Sequence, residues 1–235
     1  MYGRYEYDYH YSDERIHAGI VRNRGYHTYT RKISGMDTVE KRILSDEGRI
    51  IVNPVEPLNL PSEITNLLEI EFDSLLIEPF GKKEIYLTFP IEIGVFIAAK
   101  KNIQVLDIFS FSPPKYSLYG PSNGGDITRW WHSDVFDSIP DVNRDLQGVM
   151  QLTIDNTHRE WIEVSRAVFE GYGMKIYFGD IVSMVARLKI INRRLAETEF
   201  YDTPLTDVQS KALELYTARE LHVVKRTYEM DWGVM

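Results

Sequence analysis

The chain of 235 residues contains no cysteine. That absence excludes disulfides, a zinc ribbon, an iron–sulfur cluster and a cysteine nucleophile together, and it suits a reducing compartment. Long apolar runs are missing as well: the longest, near Ile91 to Ala99, carries Glu92 and is far too short to span a bilayer. The first residues, MYGRYEYDYHY, have no apolar stretch of the kind a signal peptide needs. These features predict a cytoplasmic protein that is not membrane-spanning. Basic clusters are scarce. The formal net charge is −8, with the acidity spread along the whole length. Duplex binding depends on clustered Lys and Arg that neutralise phosphates, so no nucleic acid is expected as a partner. Walker A, Gly-rich dinucleotide, kinase, G-x-S-x-G and HExxH patterns are all lacking, so no cofactor and no metal are expected.

What the chain has in quantity is tyrosine, 15 residues, within a composition that is 43% hydrophobic and 26% charged. This is a globular composition, and Tyr, Val, Ile and Phe fit the pleated, half-buried surface of a sheet. Tyr5, Tyr7, Tyr9 and Tyr11 alternate with polar residues, which predicts a first strand with its phenols on one face. Arg15 to Arg22 and Tyr26 to Ile33 read as a hairpin around Gly25. Strand-like runs follow at Thr38 to Leu44 and Arg49 to Val52. Asn53 to Pro61 holds three prolines and reads as an edge or crossover.

Five further runs, Leu67 to Phe72, Leu75 to Phe80, Glu84 to Phe89, Ile91 to Ala98 and Ile103 to Phe111, are spaced as in an antiparallel sandwich. Beyond a polar linker at Asp137 to Asp145, the runs from Val149 to Phe200 suggest a second, smaller unit. Gly179-Asp180 marks a hairpin within it. Thr206 to Gln209 is the one helix-start box, ahead of Ala212 and Leu215, and Glu220 to Met230 alternates as a closing strand. The reading is an all-β protein of antiparallel β-sandwich-like units, two in number, with at most one or two short helices. The units are 1–140, an N-terminal β-sandwich domain, and 146–235, a smaller C-terminal one.

The densest chemistry lies in Ser112 to Phe136, SPPKYSLYGPSNGGDITRWWHSDVF. Tyr116 to Tyr119 and Asp126 to His132 read as strands joined by Pro121-Ser122-Asn123-Gly124-Gly125. That loop is either a hairpin tip or a backbone nest for an anion. In a strand, Trp130, His132 and Asp134 share one face while Arg129, Trp131 and Ser133 share the other. An indole beside Arg and His makes a stacking platform for a sugar ring or a partner's side chain, and the plain alternative is that both tryptophans fill a core. The ligand-binding candidates are Tyr116, Tyr119, Asn123, Arg129, Trp130 and Trp131. His132 and Asp134 are the weak catalytic candidates, as base and orienting carboxylate or as two ligands of a divalent ion.

The Tyr-rich start, EIYLTFPIEIGVF at 84–96, LYGPSNGGDITRWW at 118–131 and EWIEVSRAVF at 160–169 resemble a family of conserved archaeal proteins of unknown function. The resemblance spans nearly the whole chain and implies no reaction and no site residues. Function is therefore argued from the residues alone. The expectation is a non-enzymatic binding or accessory module that recognises a protein, peptide or carbohydrate through an aromatic/Arg surface near the domain junction. The alternative is a hydrolase-type enzyme built on His132 and Asp134, metal-assisted or not. Free sheet edges give a third expectation, a homo-oligomer.

Overall fold

The computed structural model describes residues 1–45, 47–61, 64–99, 102–215, 227–231 and 233. The regular structure of the described chain is nearly all strand, with a 3₁₀ turn at Gly171–Gly173. Among these residues no helix is long and apolar enough to cross a membrane. The strands are β1 (Gly3–Tyr5), β2 (His10–Ser12), β3 (Ile16–Asn23), β4 (Tyr26–Ile33), β5 (Val39–Ile43) and β6 (Arg49–Val55). Then come β7 (Leu67–Ile77), β8 (Lys82–Pro90), β9 (Glu92–Ala99), β10 (Asn102–Phe109), β11 (Tyr116–Tyr119) and β12 (Asp126–Ser133). The rest are β13 (Gln147–Asn156), β14 (Ile162–Glu170), β15 (Tyr177–Phe178), β16 (Val182–Asn192), β17 (Leu195–Tyr201), β18 (Ser210–Lys211) and β19 (Thr227–Met230).

The chain divides into two compact units, neither contiguous: Met1–Asn53 with Ile93–Ile108, and Pro54–Glu92 with Phe109–Met235. This is a different partition from one cut between residues 140 and 146. The reason lies in pairing: β8 is hydrogen-bonded along its length to β13, and β7 to β14, so strands on either side of residue 140 share sheets.

Unit 1 holds two four-stranded sheets, ordered β1-β6-β9-β10 and β2-β3-β4-β5. The β3–β4 hairpin is as its sequence suggests: Ile16, Ala18 and Ile20 alternate inward, and Gly25 takes φ 88° in the turn. The tyrosine series, by contrast, is not one strand. The chain turns between β1 and β2, and Tyr9 is buried with its ring 4.8 Å from that of Tyr5. Buried in this unit, Asp107 accepts hydrogen bonds from the Tyr29 hydroxyl at 2.9 Å and from Arg31 Nε at 2.6 Å. Burial and the neighbouring carboxylate push the Tyr29 phenol well above its ordinary range.

Unit 2 contains a four-stranded sheet, β11-β12-β7-β14, and a seven-stranded one, β18-β15-β16-β13-β8 with β17 beside β16 and β19 beside β17. Leu152 and Ile154 on β13 lie opposite Ala186 and Leu188 on β16, and all four are buried. Phe169 of the first sheet stacks on Phe200 of the second at 4.9 Å, which marks the core between them. The arrangement is sandwich-like but not wholly antiparallel, because β12 runs parallel to β7 and β13 parallel to β16. Asp73-Ser74 does not break the sheet. β7 runs through it, and β14 accommodates the passage by a register shift between Val164 and Arg166. Thr206–Gln209 forms a turn rather than a helix. The Gln209 side-chain oxygen accepts N–H bonds from Leu205 and Thr206, and the chain goes straight into β18. Residues 216–226, the start of the expected closing strand among them, lie outside the described residues.

Candidate functional site

β11 and β12 form an antiparallel hairpin whose register places Tyr116 opposite Arg129 and Tyr119 opposite Asp126. At its tip the N–H groups of Gly124 and Gly125 both donate to the Pro121 carbonyl, at 3.1 and 2.7 Å. Those donors are spent inside the turn, so the loop is a hairpin tip and not an anion nest. Asn123 is exposed there. Gly125 is required by space, because a Cβ at this position would come 2.5 Å from the Tyr119 carbonyl oxygen.

The two faces of β12 differ in character. Arg129, Trp131 and Ser133 point to the core side, opposite Leu68, Ile70 and Phe72 of β7. Arg129 is buried. Its Nη1 donates to the carbonyls of Lys115 at 3.1 Å and Trp130 at 3.3 Å, and burial lowers its pKa against the opposing effect of Glu92. Trp131 is half-buried and its indole N–H donates to Thr88 Oγ1 at 3.0 Å. Glu92 is the partner that sequence reasoning missed. Its carboxylate accepts the backbone N–H groups of Asn59 and Leu60, each at 3.1 Å, and the Tyr116 hydroxyl donates to the Leu60 carbonyl at 3.1 Å. Burial pushes the Glu92 carboxyl up to about 7, although those amides and Arg129 pull it down. The signal for it was present: a single acid inside the chain's longest apolar run.

The opposite face of β12 carries Thr128, Trp130 and His132 beside Glu69 and Glu71 of β7. Near its start this face is closed. Glu69 is fully buried and is held by the Thr128 hydroxyl at 2.6 Å and by Arg166 at 3.0 Å. Tyr228 of β19 meets buried Tyr119 edge-on, and Gly233 lies against Arg166. Further along, the face opens. Trp130 is half-buried and His132 exposed, and their rings are stacked at 6.4 Å with 22° between planes. Exposed Lys115 places its Nζ 5.6 Å from the centre of the Trp130 ring. Glu71 accepts the Trp130 indole N–H at 2.8 Å and so fixes the ring.

The structure therefore brings Lys115, Trp130 and His132 together on one face, with Glu71 of β7 beside them. It puts Arg129 and Trp131 on the other side of the sheet, with Tyr116 opposite Arg129. Asp134 lies past the end of β12 and is exposed. Among the described residues no cluster of three or more His, Asp or Glu side chains is spaced to hold a metal ion. In unit 1, a separate open groove is lined by Glu6, Tyr7, Gly48, Arg49, Ala98 and Ile103, with Arg49 Nε paired to Glu6 at 3.2 Å.

Residues 1–235 match the model of a family described as proteins of unknown function, DUF432, and the chain belongs to that family. No curated protein and no solved structure matches the chain.

Proposed function

We propose that this member of a family of unknown function is a non-enzymatic, cytoplasmic binding module, and that its recognition surface is the open part of the Trp130 face. The observation that carries the proposal is the group Lys115–Trp130–His132, two stacked rings and a cation on one accessible strand face. The indole is pinned by Glu71, so it presents its surface without losing rotamer freedom on binding. An aromatic edge flanked by a cation, an imidazole and a carboxylate suits a sugar ring or a polar peptide side chain, which offers an apolar patch and several hydrogen-bonding groups. Arg129, placed in the core, supports the hairpin that carries this group. It does not meet the ligand.

The experiment is a screen of the intact chain on glycan and peptide arrays, repeated with Trp130→Ala and His132→Ala. The proposal expects a ligand class whose signal drops in both variants. Signals equal to the unsubstituted protein would remove it. A hydrolase centred on His132 and Asp134 is the competing reading, and it requires Asp134 to orient the His132 ring, whereas Asp134 lies past the end of β12. Turnover in a hydrolase panel that vanishes with His132→Ala would restore that reading.

A further inference from the structure

A second surface, at the end of unit 2 where three turns meet, combines exposed apolar side chains with cations. The turns are tied together. Phe80 N–H donates to the His158 carbonyl at 3.2 Å, and Thr157 N–H to the Ile190 carbonyl at 3.0 Å. The side-chain amide of buried Asn156 donates to three carbonyls, those of Ile77 at 3.2 Å and of Glu78 and Glu160 at 2.9 Å. Arg193 Nε pairs with Glu160 at 2.6 Å and brings in the β16–β17 turn.

On this scaffold stand Phe80, Leu76 and Trp161, with 73%, 63% and 57% of their surfaces exposed. Leu76 lies opposite Glu163 in the β7–β14 register, and Trp161 is two residues before Glu163, so both belong to the outward side of the sheet. A single exposed apolar residue needs no explanation, but three large ones at adjoining turns and the strand end beside them do. Phe80 also has φ 56°, a left-handed conformation that bulky residues rarely adopt. A strained backbone that holds a phenyl ring out in water is a feature to be accounted for by something outside the chain.

The charges say what that is. The turns and the strand ends beside them carry five exposed cations, Lys82, Lys83, Arg159, Arg193 and Arg194, with half-buried Arg187, against four acids, Glu78, Asp155, Glu160 and Glu163. Lys83, Arg193 and Arg187 pair with Glu78, Glu160 and Asp155, which leaves Lys82, Arg159 and Arg194 for an outside partner. This end is locally basic on a chain whose formal net charge is −8. We infer that it docks on an anionic lipid bilayer, with Phe80, Leu76 and Trp161 entering the headgroup–acyl boundary while Lys82, Arg159 and Arg194 meet the headgroups. Trp favours that boundary, and clustered Lys and Arg are drawn to anionic leaflets. Because the turn amides are tied to neighbouring turns, the groups left for recognition are rings and cations rather than backbone.

Co-sedimentation of the full chain with vesicles tests this, using equimolar phosphatidylglycerol and phosphatidylcholine against phosphatidylcholine alone. Binding is expected to the anionic vesicles only and to weaken as salt is raised. Phe80→Gly with Trp161→Ser is expected to weaken it about tenfold or more. Glycine tolerates the positive φ, so this variant stays folded, as a thermal melt will show. Lys82→Glu with Arg194→Glu is expected to abolish binding, and Trp130→Ala to leave it unchanged, which separates this surface from the proposed recognition face. Failure of the unsubstituted chain to bind anionic vesicles, or equal binding by the Phe80/Trp161 variant, overturns the inference. Capture of a polyglutamate peptide without capture of vesicles also overturns it, in favour of an acidic protein partner.

Discussion

Glu92 shows how one residue sets a property of the whole unit. Its carboxyl is held near 7 instead of its ordinary 4.5 chiefly because burial penalises the charged form. A raised acid pKa means the folded state keeps a proton that the unfolded chain releases. Stability from this group is therefore full below the unfolded value and is lost as pH rises from about 4.5 to about 7. The loss is on the order of 3 kcal/mol. Glu92→Gln removes the titration but keeps an acceptor for Asn59 and Leu60, so its melting temperature relative to the unsubstituted protein is expected to rise between pH 5 and pH 8 in parallel thermal melts. Arg129→Ala strips the opposing charge and removes the Nη1 donor shared by the Lys115 and Trp130 carbonyls. It is expected to cost about 1–3 kcal/mol in denaturant titrations. Sequence reasoning singled out Arg129 and the face-sharing of Trp130 with His132, because alternation along a strand is a local property. It passed over the mark that Glu92 leaves, a lone acid in the longest apolar run, and it could not find the partners of Glu92 or Glu69, which lie 30 to 100 positions away and are brought together only by pairing between distant strands.

At the scale of elements, turns and hairpins were the legible part. Gly25, the Pro121–Gly125 tip and the Gly179-Asp180 turn all form where their local chemistry places them. The tip allows a sharp test of that chemistry. Gly125→Ala puts a Cβ against backbone that cannot yield and is expected to cost about 1–3 kcal/mol, while Gly124→Ala, with open space around it, is expected to be near neutral. Asn156→Ala removes the shared donor of three carbonyls and is expected to cost roughly 2–3 kcal/mol. It should also speed amide hydrogen exchange at Phe80. Elements were misread where a local signal had a second use. The Thr206–Gln209 box closes a turn instead of starting a helix, and the tyrosine alternation crosses a bend between β1 and β2. The parallel pairs β12–β7 and β13–β16 leave no mark in a local window, because alternation looks the same whichever way the neighbour runs.

For the whole molecule, the all-β class followed from composition and periodicity, but the partition into units did not. The chain leaves and re-enters unit 1, and the polar stretch at Asp137 to Asp145, which reads as a linker, separates strands that share sheets. A fragment of residues 1–140 keeps unit 1 whole but lacks β13, the partner of β8, and β14, one of the two partners of β7, so it is expected to lose the thermal transition of unit 2 and keep that of unit 1 in circular dichroism melts. The proposed function rests on which side of β12 would face a ligand, since neighbouring tryptophans point to opposite sides of the sheet. The decisive measurement is therefore a titration of the ligand class found on the arrays against the unsubstituted chain, Trp130→Ala and Trp131→Phe. Loss of a stacking partner is worth about tenfold in affinity. The account predicts that loss for Trp130→Ala, with Trp131→Phe binding as the unsubstituted chain does. Undiminished binding by Trp130→Ala, or a loss confined to Trp131→Phe, would contradict it.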